Sequence, residues 1–439
     1  NRPSWRLSGT SGFGFCRRAP PLEVSFGDHH NTPRRYGEDL SVFTGIKSDL
    51  RAGGDVVVLV NNGFLDLTVP ADHHVVQNHG FVDHGPDPGR NQRQVVSKIA
   101  ALEAIDLSSD VISETGTPLD GHLFSSGMAA VTAAVLGCLK SGDKLIAHQN
   151  LYGATYSLLH HLADENKIQI VWLKSGAVSE WEQAFSAHPD TRLAYAETPT
   201  NPNLSLVDLQ SVANIAHQYN AWLLVDNTFA SPYCQRPFNL GADIVLHSTT
   251  KYLCGHGTVI GGIVLNKHLD WVKERLWNQL KLYGGSPSPF DAWLTHLGLK
   301  TYELRMSRHC ENATTIARWL LEHPKIGRVF YPGLPDHPGH DIAKRQMFAF
   351  GGMLACELKG GYQTGINFMN HVKLFALVPT LGNVDSLIQH PASMTHASVA
   401  SDQRQRMGIS DGLVRLSVGI ENTNDLVNDL DQALAKIQA

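Results

Sequence analysis

The chain has 439 residues, of which 42% are hydrophobic, so it is long enough for a globular protein with two packed domains or one large domain with appendages. The formal net charge of −5 is spread along the sequence without an extended basic run. This argues against nucleic acid or an anionic membrane as the partner and favours a small-molecule substrate.

Targeting and metal-binding patterns point to an ordinary cytoplasmic protein. No stretch approaches the roughly 18 consecutive apolar residues of a membrane span, and residues 1–20 contain no apolar signal core. The six cysteines are scattered, without a Cys-x-x-Cys pair or zinc-site spacing, so we interpret them as reduced thiols that mostly lie in the core. Adjacent histidines, such as His160–His161, point to different faces of a helix or strand. We predict a cytoplasmic protein without a metal.

Residues 1–95 differ in texture from the rest of the chain. They are rich in Arg, His, Gly and Pro, and only residues 55–60 read clearly as a strand. The segment is therefore expected to be an atypical N-terminal arm, either extended or poorly ordered, and no function is assigned to it.

From about residue 121, short apolar runs alternate with helical patterns. Strands are predicted at residues 123–124, 144–147, 168–173, 192–196, 221–225 and 243–246, and helices at 129–139 and 208–219. This alternation predicts a large α/β domain over residues 96–285 with a mainly parallel sheet. A ligand is expected at the carboxyl ends of its strands.

After about residue 285 the helical patterns become longer. A helix is predicted at residues 291–322, strands at 352–358 and 413–418, and a closing helix at 424–437. Residues 286–439 are therefore expected to form a smaller α+β C-terminal domain.

Three short segments of the large domain carry candidate chemistry. Ser126, Gly127 and Met128 join a strand end to a helix, which suits either a phosphate site or an ordinary helix cap. Asp226 ends an apolar strand and suits a metal, a helix cap or a cationic ring nitrogen. Lys251 follows the strand at 243–246, where an ammonium is costly unless its pKa falls or it reacts with an aldehyde.

Taken together, the three segments indicate one cofactor. Pyridoxal phosphate needs a phosphate cup, an anion beside its pyridine nitrogen and a lysine for its aldehyde, and the chain offers these in one domain. The hydroxyls of Ser248 and Thr250, which flank Lys251 on its N-terminal side, are placed to donate to the phosphate.

Residues ~97–439 strongly resemble the Cys/Met-metabolism group of pyridoxal-phosphate enzymes, which includes cystathionine γ-synthase, cystathionine lyases, methionine γ-lyase and O-acylhomoserine sulfhydrylases. The motifs that carry this resemblance are, in order, residues 126–128 (Ser-Gly-Met), 152–153 (Tyr-Gly), 197–202 (Glu-Thr-Pro-Thr-Asn-Pro), 226–228 (Asp-Asn-Thr), 248–252 (Ser-Thr-Thr-Lys-Tyr), 390–396 (His-Pro-Ala-Ser-Met-Thr-His) and 414–417 (Val-Arg-Leu-Ser). The resemblance implies the aspartate-aminotransferase-like fold, fold type I, and a homotetramer built as a dimer of dimers.

The resemblance also implies a role for each site residue. The implied catalytic residues are Lys251, Tyr152 and Asp226; the implied cofactor-binding residues are these three with Ser126, Gly127, Met128, Asn201, Thr228, Ser248 and Thr250; and the implied substrate-binding residues are Arg415, Thr380 and Asn201. Tyr152 would stack on the cofactor ring, Asn201 would bind its phenolic oxygen, and Arg415 would bind the substrate carboxylate. From the residues alone, Tyr152 as a core tyrosine and Arg415 in a structural ion pair remain open alternatives.

One family feature is missing. Relatives carry a Tyr-x-Arg-x-x-Asn-Pro segment whose Tyr and Arg complete the phosphate cup of a neighbouring subunit, whereas here His84 and Pro86 occupy those two positions. Arg90 and Arg93 are candidate replacements. The gap keeps open a second hypothesis, that the chain is a catalytically silent binding or structural homologue.

The choice of reaction depends on three positions. Cystathionine-processing members usually carry a Glu at the position of Pro379, and the segment His390–Pro391–Ala392 resembles methionine γ-lyases and sulfhydrylases. Against methionine γ-lyase, Ala154 stands where those enzymes often have a cysteine. We expect chemistry at the γ-carbon of a sulfur amino acid or homoserine ester, with methionine γ-lyase-like elimination first and replacement by a thiol, as in a sulfhydrylase or γ-synthase, second.

Overall fold

A computed structural model describes residues 56–60, 63–67, 88–395, 397, 401–406 and 408–437 of the chain, with side chains from residue 91 onward. The chain divides into two units, residues 1–84 and 85–439. In the first unit, strands β1 (Val56–Val60) and β2 (Gly63–Leu67) pair as an antiparallel hairpin. Strand β1 matches the strand predicted at residues 55–60, and the rest of the N-terminal arm lies outside the described residues.

The second unit contains a seven-stranded sheet with the order β3-β9-β8-β7-β6-β4-β5. Its strands are β3 (Asp120–Phe124), β4 (Lys144–His148), β5 (Gln169–Leu173), β6 (Thr191–Glu197), β7 (Trp222–Asp226), β8 (Ile244–His247) and β9 (Gly262–Asn266). Strands β4 to β8 run parallel, and β9 runs antiparallel to both β3 and β8. Because both faces of the sheet are covered, central strands such as β8 are buried along their whole length.

Helices cover both faces of this sheet. They are α1 (Pro88–Glu103), α2 (Gly127–Cys138), α3 (Gly153–Asn166), α4 (Val178–Ala187), α5 (Leu209–Gln218), α6 (Ser231–Cys234), α7 (Leu269–Trp271) and α8 (Trp277–Tyr283), with a 3₁₀ turn at Pro237–Leu240 and a π-helical turn at Val272–Leu276. One core contains Trp181 of α4 and Val212 of α5. A second core contains Val131 of α2 and Leu159 of α3. This is the layered α/β architecture that the alternating sequence pattern predicts.

A five-stranded sheet follows, with the order β10-β11-β14-β13-β12. Its strands are β10 (Ile326–Phe330), β11 (Met353–Leu358), β12 (Ala376–Leu377), β13 (Leu387–Gln389) and β14 (Leu413–Ser417). The helices of this part are α9 (Pro289–Leu299), α10 (Tyr302–Glu322), α11 (His340–Gln346), α12 (Tyr362–His371), α13 (Ser401–Arg406) and α14 (Thr423–Ala435). A third core joins Ile316 of α10, Phe368 of α12 and Leu430 of α14 to this sheet.

Several boundaries differ from the prediction. The helix predicted at residues 291–322 is two helices, α9 and α10, interrupted at Lys300 and Thr301. Lys300 and Thr301 are not helix breakers like Pro, so the sequence pattern does not reveal the interruption. The Arg305 guanidinium stabilises the end of α9 by donating a hydrogen bond to the Gly298 carbonyl at 2.9 Å. Helix α1 begins at Pro88 and was not predicted, because its first turns are too polar to show a periodic pattern.

Within the residues that the structure describes, no helix combines the length and apolar character needed to cross a bilayer. The same residues contain no group of three or more His, Cys, Asp or Glu side chains placed to hold a metal ion. The five described cysteines form no disulfide, and Cys16 lies outside the described residues.

Candidate active site

A cavity of about 270 Å³ lies at the carboxyl ends of the parallel strands, at the edge where a ligand was predicted. Residues far apart in sequence converge there. The predicted site residues that line it are Ser126, Gly127, Met128, Tyr152, Asn201, Asp226, Thr228, Ser248, Thr250, Lys251 and Arg415. Thr380 joins them through a direct contact with Lys251.

The start of helix α2 forms one end of the cavity. Ser126 is the N-cap, and its hydroxyl accepts a hydrogen bond from the Ala129 N–H at 3.0 Å. The N–H groups of Gly127 and Met128 have no acceptor within the helix, because they belong to its first turn. A Cβ at Gly127 would lie only 2.9 Å from the Ser248 Cβ, so only glycine lets the helix approach this closely. The arrangement can bind an anion.

Hydroxyl groups from the loop after β8 face the same end. The Thr250 hydroxyl accepts a hydrogen bond from the Gly261 N–H at 3.0 Å and lies 3.2 Å from the Gly261 carbonyl. The Ser248 hydroxyl lies 3.4 Å from the same carbonyl. The Thr228 hydroxyl accepts from the Ser248 N–H at 2.9 Å and so holds this loop against the end of β7. Rotation of the Ser248 and Thr250 hydroxyls would let both groups donate hydrogen bonds to a phosphate.

Asp226 ends strand β7, and only 8% of it is exposed. One carboxylate oxygen accepts a hydrogen bond from the Thr228 N–H at 3.0 Å. Burial raises the pKa of Asp226 above its usual value, and the hydrogen bonds from Thr228 partly oppose that shift. A cation bound beside Asp226 would stabilise its ionised form, as a protonated pyridine nitrogen does.

Lys251 lies across the cavity in the turn after β8. Its ammonium group donates a hydrogen bond to the Thr380 hydroxyl at 2.7 Å. Burial, and next the nearby positive charge of Arg415, lower the pKa of Lys251 to about 8. A substantial fraction of this amine is therefore neutral near physiological pH, which makes it available to attack an aldehyde.

Arg415 lies in the middle of β14 and is 2% exposed. Its guanidinium donates to the Asn201 side-chain oxygen at 2.9 Å, the Thr380 carbonyl at 2.8 Å and the Pro379 carbonyl at 3.3 Å. All three acceptors are neutral, and within the described residues its Nε has no acceptor. Burial lowers the pKa of Arg415 to about 10. The structural ion pair considered for Arg415 is thus not formed with any described residue, and its charge suits a substrate carboxylate.

Tyr152 stands at the start of helix α3 and lines the cavity with 49% of its surface exposed. The alternative of a tyrosine packed into the core therefore does not apply. Its N–H donates to the carboxylate of Glu197 at 2.6 Å. Glu197 lines the cavity as well, but the sequence interpretation gave it no role, although it ends an apolar strand in the same way as Asp226.

Arg93, a candidate replacement for the missing phosphate contacts, is engaged by other residues of the same chain. Its guanidinium contacts Asp120 at 3.0 Å and Glu114 at 2.9 Å, so two carboxylates of the same chain already engage it. His84, Pro86 and the side chain of Arg90 lie outside the described residues.

These features fit pyridoxal phosphate: a helix start with a required glycine for the phosphate, a buried carboxylate for the ring nitrogen and an amine of lowered pKa for the aldehyde. The fold and this cavity define a pyridoxal-phosphate enzyme of fold type I. A sequence model of the family described as Cys/Met metabolism PLP-dependent enzyme matches residues 108–435, and the chain belongs to this family. It is a pyridoxal-phosphate enzyme of sulfur amino-acid metabolism.

Individual relatives fall into several activities. The chain is 47% identical to the L-methionine gamma-lyase of Fusobacterium nucleatum subsp. polymorphum over 316 residues, 71% of this chain and 79% of that protein. It is 45% identical to the cystathionine gamma-synthase of Mycobacterium bovis over 311 residues, 71% of this chain and 79% of that protein. The solved cystathionine gamma synthase of Xanthomonas oryzae pv. oryzae, in complex with aminoacrylate and cysteine, has a TM-score of 0.73 and 38% identity and covers 79% of this chain and 87% of its own.

Proposed function

We propose that this enzyme catalyses γ-elimination on methionine or a closely similar amino acid. The observation that carries the proposal is the uncharged wall beside Arg415, where Pro379 and Leu381 line the cavity. An uncharged thioether side chain can pack against such a wall, whereas the distal ammonium of cystathionine would need a carboxylate or another polar partner there.

We assign the remaining roles as the sequence predicts them. Lys251 would attach the cofactor, Asp226 would pair with its ring nitrogen, and Arg415 would bind the substrate carboxylate. We also retain a large domain that carries the cofactor and a smaller C-terminal domain, with the boundary near residue 285. The support for the three side-chain roles is that Lys251, Asp226 and Arg415 line the same cavity.

When bound, pyridoxal phosphate supplies an electron sink for the bonds at the α- and β-carbons of the substrate. The chain supplies position and proton transfer. Arg415 orients the substrate through its carboxylate, which places the α-hydrogen towards the Lys251 amine. That amine, with its low pKa, would remove the proton at Cα and, once it has released this proton, one at Cβ, whose loss provides the electron pair that expels the sulfur from Cγ. The Tyr152 hydroxyl donates a proton to the departing sulfur.

Replacement at the γ-carbon is the second candidate. The same uncharged wall accepts the acyl group of an O-acetylhomoserine, and the relatives include a cystathionine gamma-synthase at 45% identity. The two candidates differ in what leaves the γ-carbon and in whether a thiol enters.

Purified enzyme with added pyridoxal phosphate should be assayed against methionine, O-acetylhomoserine, O-succinylhomoserine and cystathionine, with and without a small thiol. The proposal expects the highest kcat/KM with methionine and release of methanethiol without an added thiol. A preference for an O-acylhomoserine that depends on thiol would replace it with the second candidate. No turnover of any of the four by cofactor-loaded protein would support a silent homologue.

The enzyme is also proposed to work in the cytoplasm as a homotetramer. Exposed apolar residues beside the cavity support self-association: Leu282 and Tyr283 are each 73% exposed and Phe290 is 61% exposed. They flank Gly285, whose carbonyl accepts from the Ser125 N–H at 2.7 Å next to the phosphate end of the site. Light scattering after size-exclusion chromatography tests the assembly, and a monomer at micromolar concentration would contradict it.

A further inference from the structure

Glu197 is a buried acid in the active-site cavity that none of the assigned roles uses. It is the last residue of β6, is 4% exposed and lines the cavity. In the register of the parallel sheet it stands opposite Asp226, the last residue of β7. Two carboxyl groups therefore lie side by side at the floor of the site, whereas the cofactor offers one ring nitrogen to be paired.

The contacts of Glu197 connect three separate segments of the site. Its carboxylate accepts the Tyr152 N–H at 2.6 Å, and the nearby backbone N–H of Asn201 favours the ionised form of the carboxyl group. Its own N–H donates to Nε2 of His148, at the end of β4, at 3.1 Å. Burial lowers the pKa of His148 to about 4, so this histidine is neutral and can accept that hydrogen bond near pH 7. Glu197 thus joins the loops that carry Tyr152 and Asn201 to the sheet.

Helix α3 depends on this contact. Tyr152 is its N-cap residue, and no side chain of the cap position satisfies the first turn. The Glu197 carboxyl stands in for the missing cap from a neighbouring strand, and its negative charge is stabilised by the positive end of the helix. A displacement of this turn would move the Tyr152 ring, because the ring is carried by the residue whose N–H is held.

The contacts of Glu197 extend to the substrate end of the cavity through Asn201. The Asn201 side-chain oxygen accepts from Arg415 at 2.9 Å, while its backbone N–H lies near the Glu197 carboxyl group and favours the ionised form of that group. Each end of this connection carries a proposed active-site group, Tyr152 on one side and Arg415 on the other. A single carboxyl group therefore lies between them, hydrogen-bonded to the Tyr152 N–H and close to the backbone of Asn201.

Ionising a carboxyl group at this position costs free energy. Burial and the neighbouring Asp226 raise the pKa of Glu197 well above its usual value, and the two backbone N–H donors act in the opposite direction. Glutamine would have the same shape, but its NH₂ group cannot accept a hydrogen bond, so it could satisfy both backbone donors only through its single oxygen. A carboxylate at this position can offer both oxygens to the Tyr152 and Asn201 backbone N–H groups, which glutamine cannot.

We propose that Glu197 is a positioning residue that holds Tyr152 and the Asn201–Arg415 pair at the spacing the reaction requires. This deepens the proposed function and rests on it for the roles of Tyr152 and Arg415. Glu197 acts through its hydrogen bond from the Tyr152 N–H and its proximity to the backbone N–H of Asn201.

The test compares Glu197→Gln and Glu197→Asp with the control Glu180→Gln. Glu180 also accepts a backbone N–H, that of Ser175 at 2.9 Å, but it does not line the cavity. Amide hydrogen exchange of the cofactor-free proteins is followed by mass spectrometry in peptides covering residues 149–156 and 198–204. Pyridoxal phosphate is then titrated into each protein, and kcat and KM are measured for methionine.

Glu197→Gln is expected to accelerate exchange in both peptides at least tenfold, weaken cofactor binding about tenfold and lower kcat on the order of 100-fold, since a shift of about 1 Å in a reacting group has that effect. Glu197→Asp keeps the carboxyl group and should fall between it and wild type, which also provides the measurement if the glutamine variant does not fold. Glu180→Gln should leave exchange in both peptides, cofactor binding and kcat unchanged.

Two outcomes would overturn the proposal. Unchanged exchange in both peptides with a large fall in kcat would mean that Glu197 acts on the reacting atoms directly. Unchanged exchange and unchanged kinetics would mean that the Glu197 carboxyl group is not needed to position Tyr152 and Asn201. Failure of the proposed function gives a different result, because wild-type enzyme would then not turn over methionine while exchange and cofactor titration still respond to Glu197→Gln.

Discussion

Nε2 of His247 lies 2.7 Å from Oε1 of Glu103, and the two side chains are 1% and 0% exposed. The same Glu103 oxygen accepts from the Asn227 side-chain amide at 3.0 Å. His247 and Asn227 directly adjoin Ser248 and Asp226 in sequence. Helix α1 therefore stabilises, through one buried carboxylate, the ends of the two strands that carry the proposed cofactor contacts.

Glu103→Gln is expected to lower the free energy of unfolding by about 2 kcal/mol, because buried hydrogen bonds from His247 and Asn227 to a carboxylate become bonds to a neutral amide. Denaturant unfolding measures this loss. The matched control is Glu311→Gln, which breaks an exposed pair with Arg308 at 3.6 Å and should cost less than about 1 kcal/mol. Equal losses in the two variants would contradict a special role for the buried pair.

Lys251→Ala should abolish covalent attachment of pyridoxal phosphate and the visible absorbance that accompanies it. Borohydride reduction of wild-type enzyme followed by peptide mapping should place the label on Lys251. Lys267→Ala is the control, since Lys267 contacts Asp243 at 2.9 Å and does not line the cavity. A labelled peptide without Lys251 would refute the assignment.

The reactivity of Lys251 towards the cofactor should depend on pH. With its pKa lowered to about 8, the amine is increasingly protonated as the pH falls below 8, and its neutral, nucleophilic fraction grows as the pH rises through that value. The rate at which cofactor-free enzyme incorporates pyridoxal phosphate should therefore rise to a plateau above pH 8, rather than near the usual lysine value of about 10.4. A midpoint above pH 10 would show that burial does not shift this amine.

Asp226→Asn should leave cofactor bound but slow turnover on the order of 10²- to 10³-fold, because an amide no longer stabilises a positive charge on the ring nitrogen. The measurement is kcat together with the cofactor content of the purified protein. Asp120→Asn serves as the control, since Asp120 is similarly buried at 4% exposure but begins strand β3 at the opposite edge of the sheet. Near-normal turnover of Asp226→Asn would assign Asp226 to a structural cap.

Arg415→Lys keeps the positive charge but loses the planar fork that binds a carboxylate with two hydrogen bonds. A loss of about 2 kcal/mol is expected, roughly 30-fold in kcat/KM and mostly through KM. The control is Arg305→Lys. Arg305 is also buried and donates to the carbonyls of Tyr252 and Gly298, so its substitution should lower the free energy of unfolding but leave KM unaltered. An unchanged KM in Arg415→Lys would remove Arg415 from the substrate site.

The sequence predicted the strand ends of the site better than the contacts between distant segments. Asp226 and Lys251 were recognisable because each follows an apolar strand and carries a charge that burial makes costly. The bond between Asn201 and Arg415 joins residues 214 positions apart, and no local pattern encodes it. Glu197 was overlooked for a related reason, since its partners are backbone N–H groups, which every sequence position except proline supplies.

Helix boundaries show the same limit. The apolar pattern of residues 291–322 continues across the break at Lys300, because the two helices bury the same kind of face while the interruption depends on the Arg305 side chain. Helices α3 and α4 were not predicted either. Helix α3 buries only three of its residues, Thr155, Leu159 and Leu162, so its hydrophobic periodicity is weak.

Two hydrogen bonds of the cavity join the two sheets of the second unit: Lys251 to Thr380 at 2.7 Å and Asn201 to Arg415 at 2.9 Å. Any ligand that engages Lys251 and Arg415 together adds a third connection at the same place. Its binding energy then opposes separation of the sheets as well as its own release, by linkage. Protease digestion at the segment 378–382 should therefore slow as the ligand fills the cavity. The digestion rate would then report the fraction of cavities occupied without an activity assay or a visible absorbance.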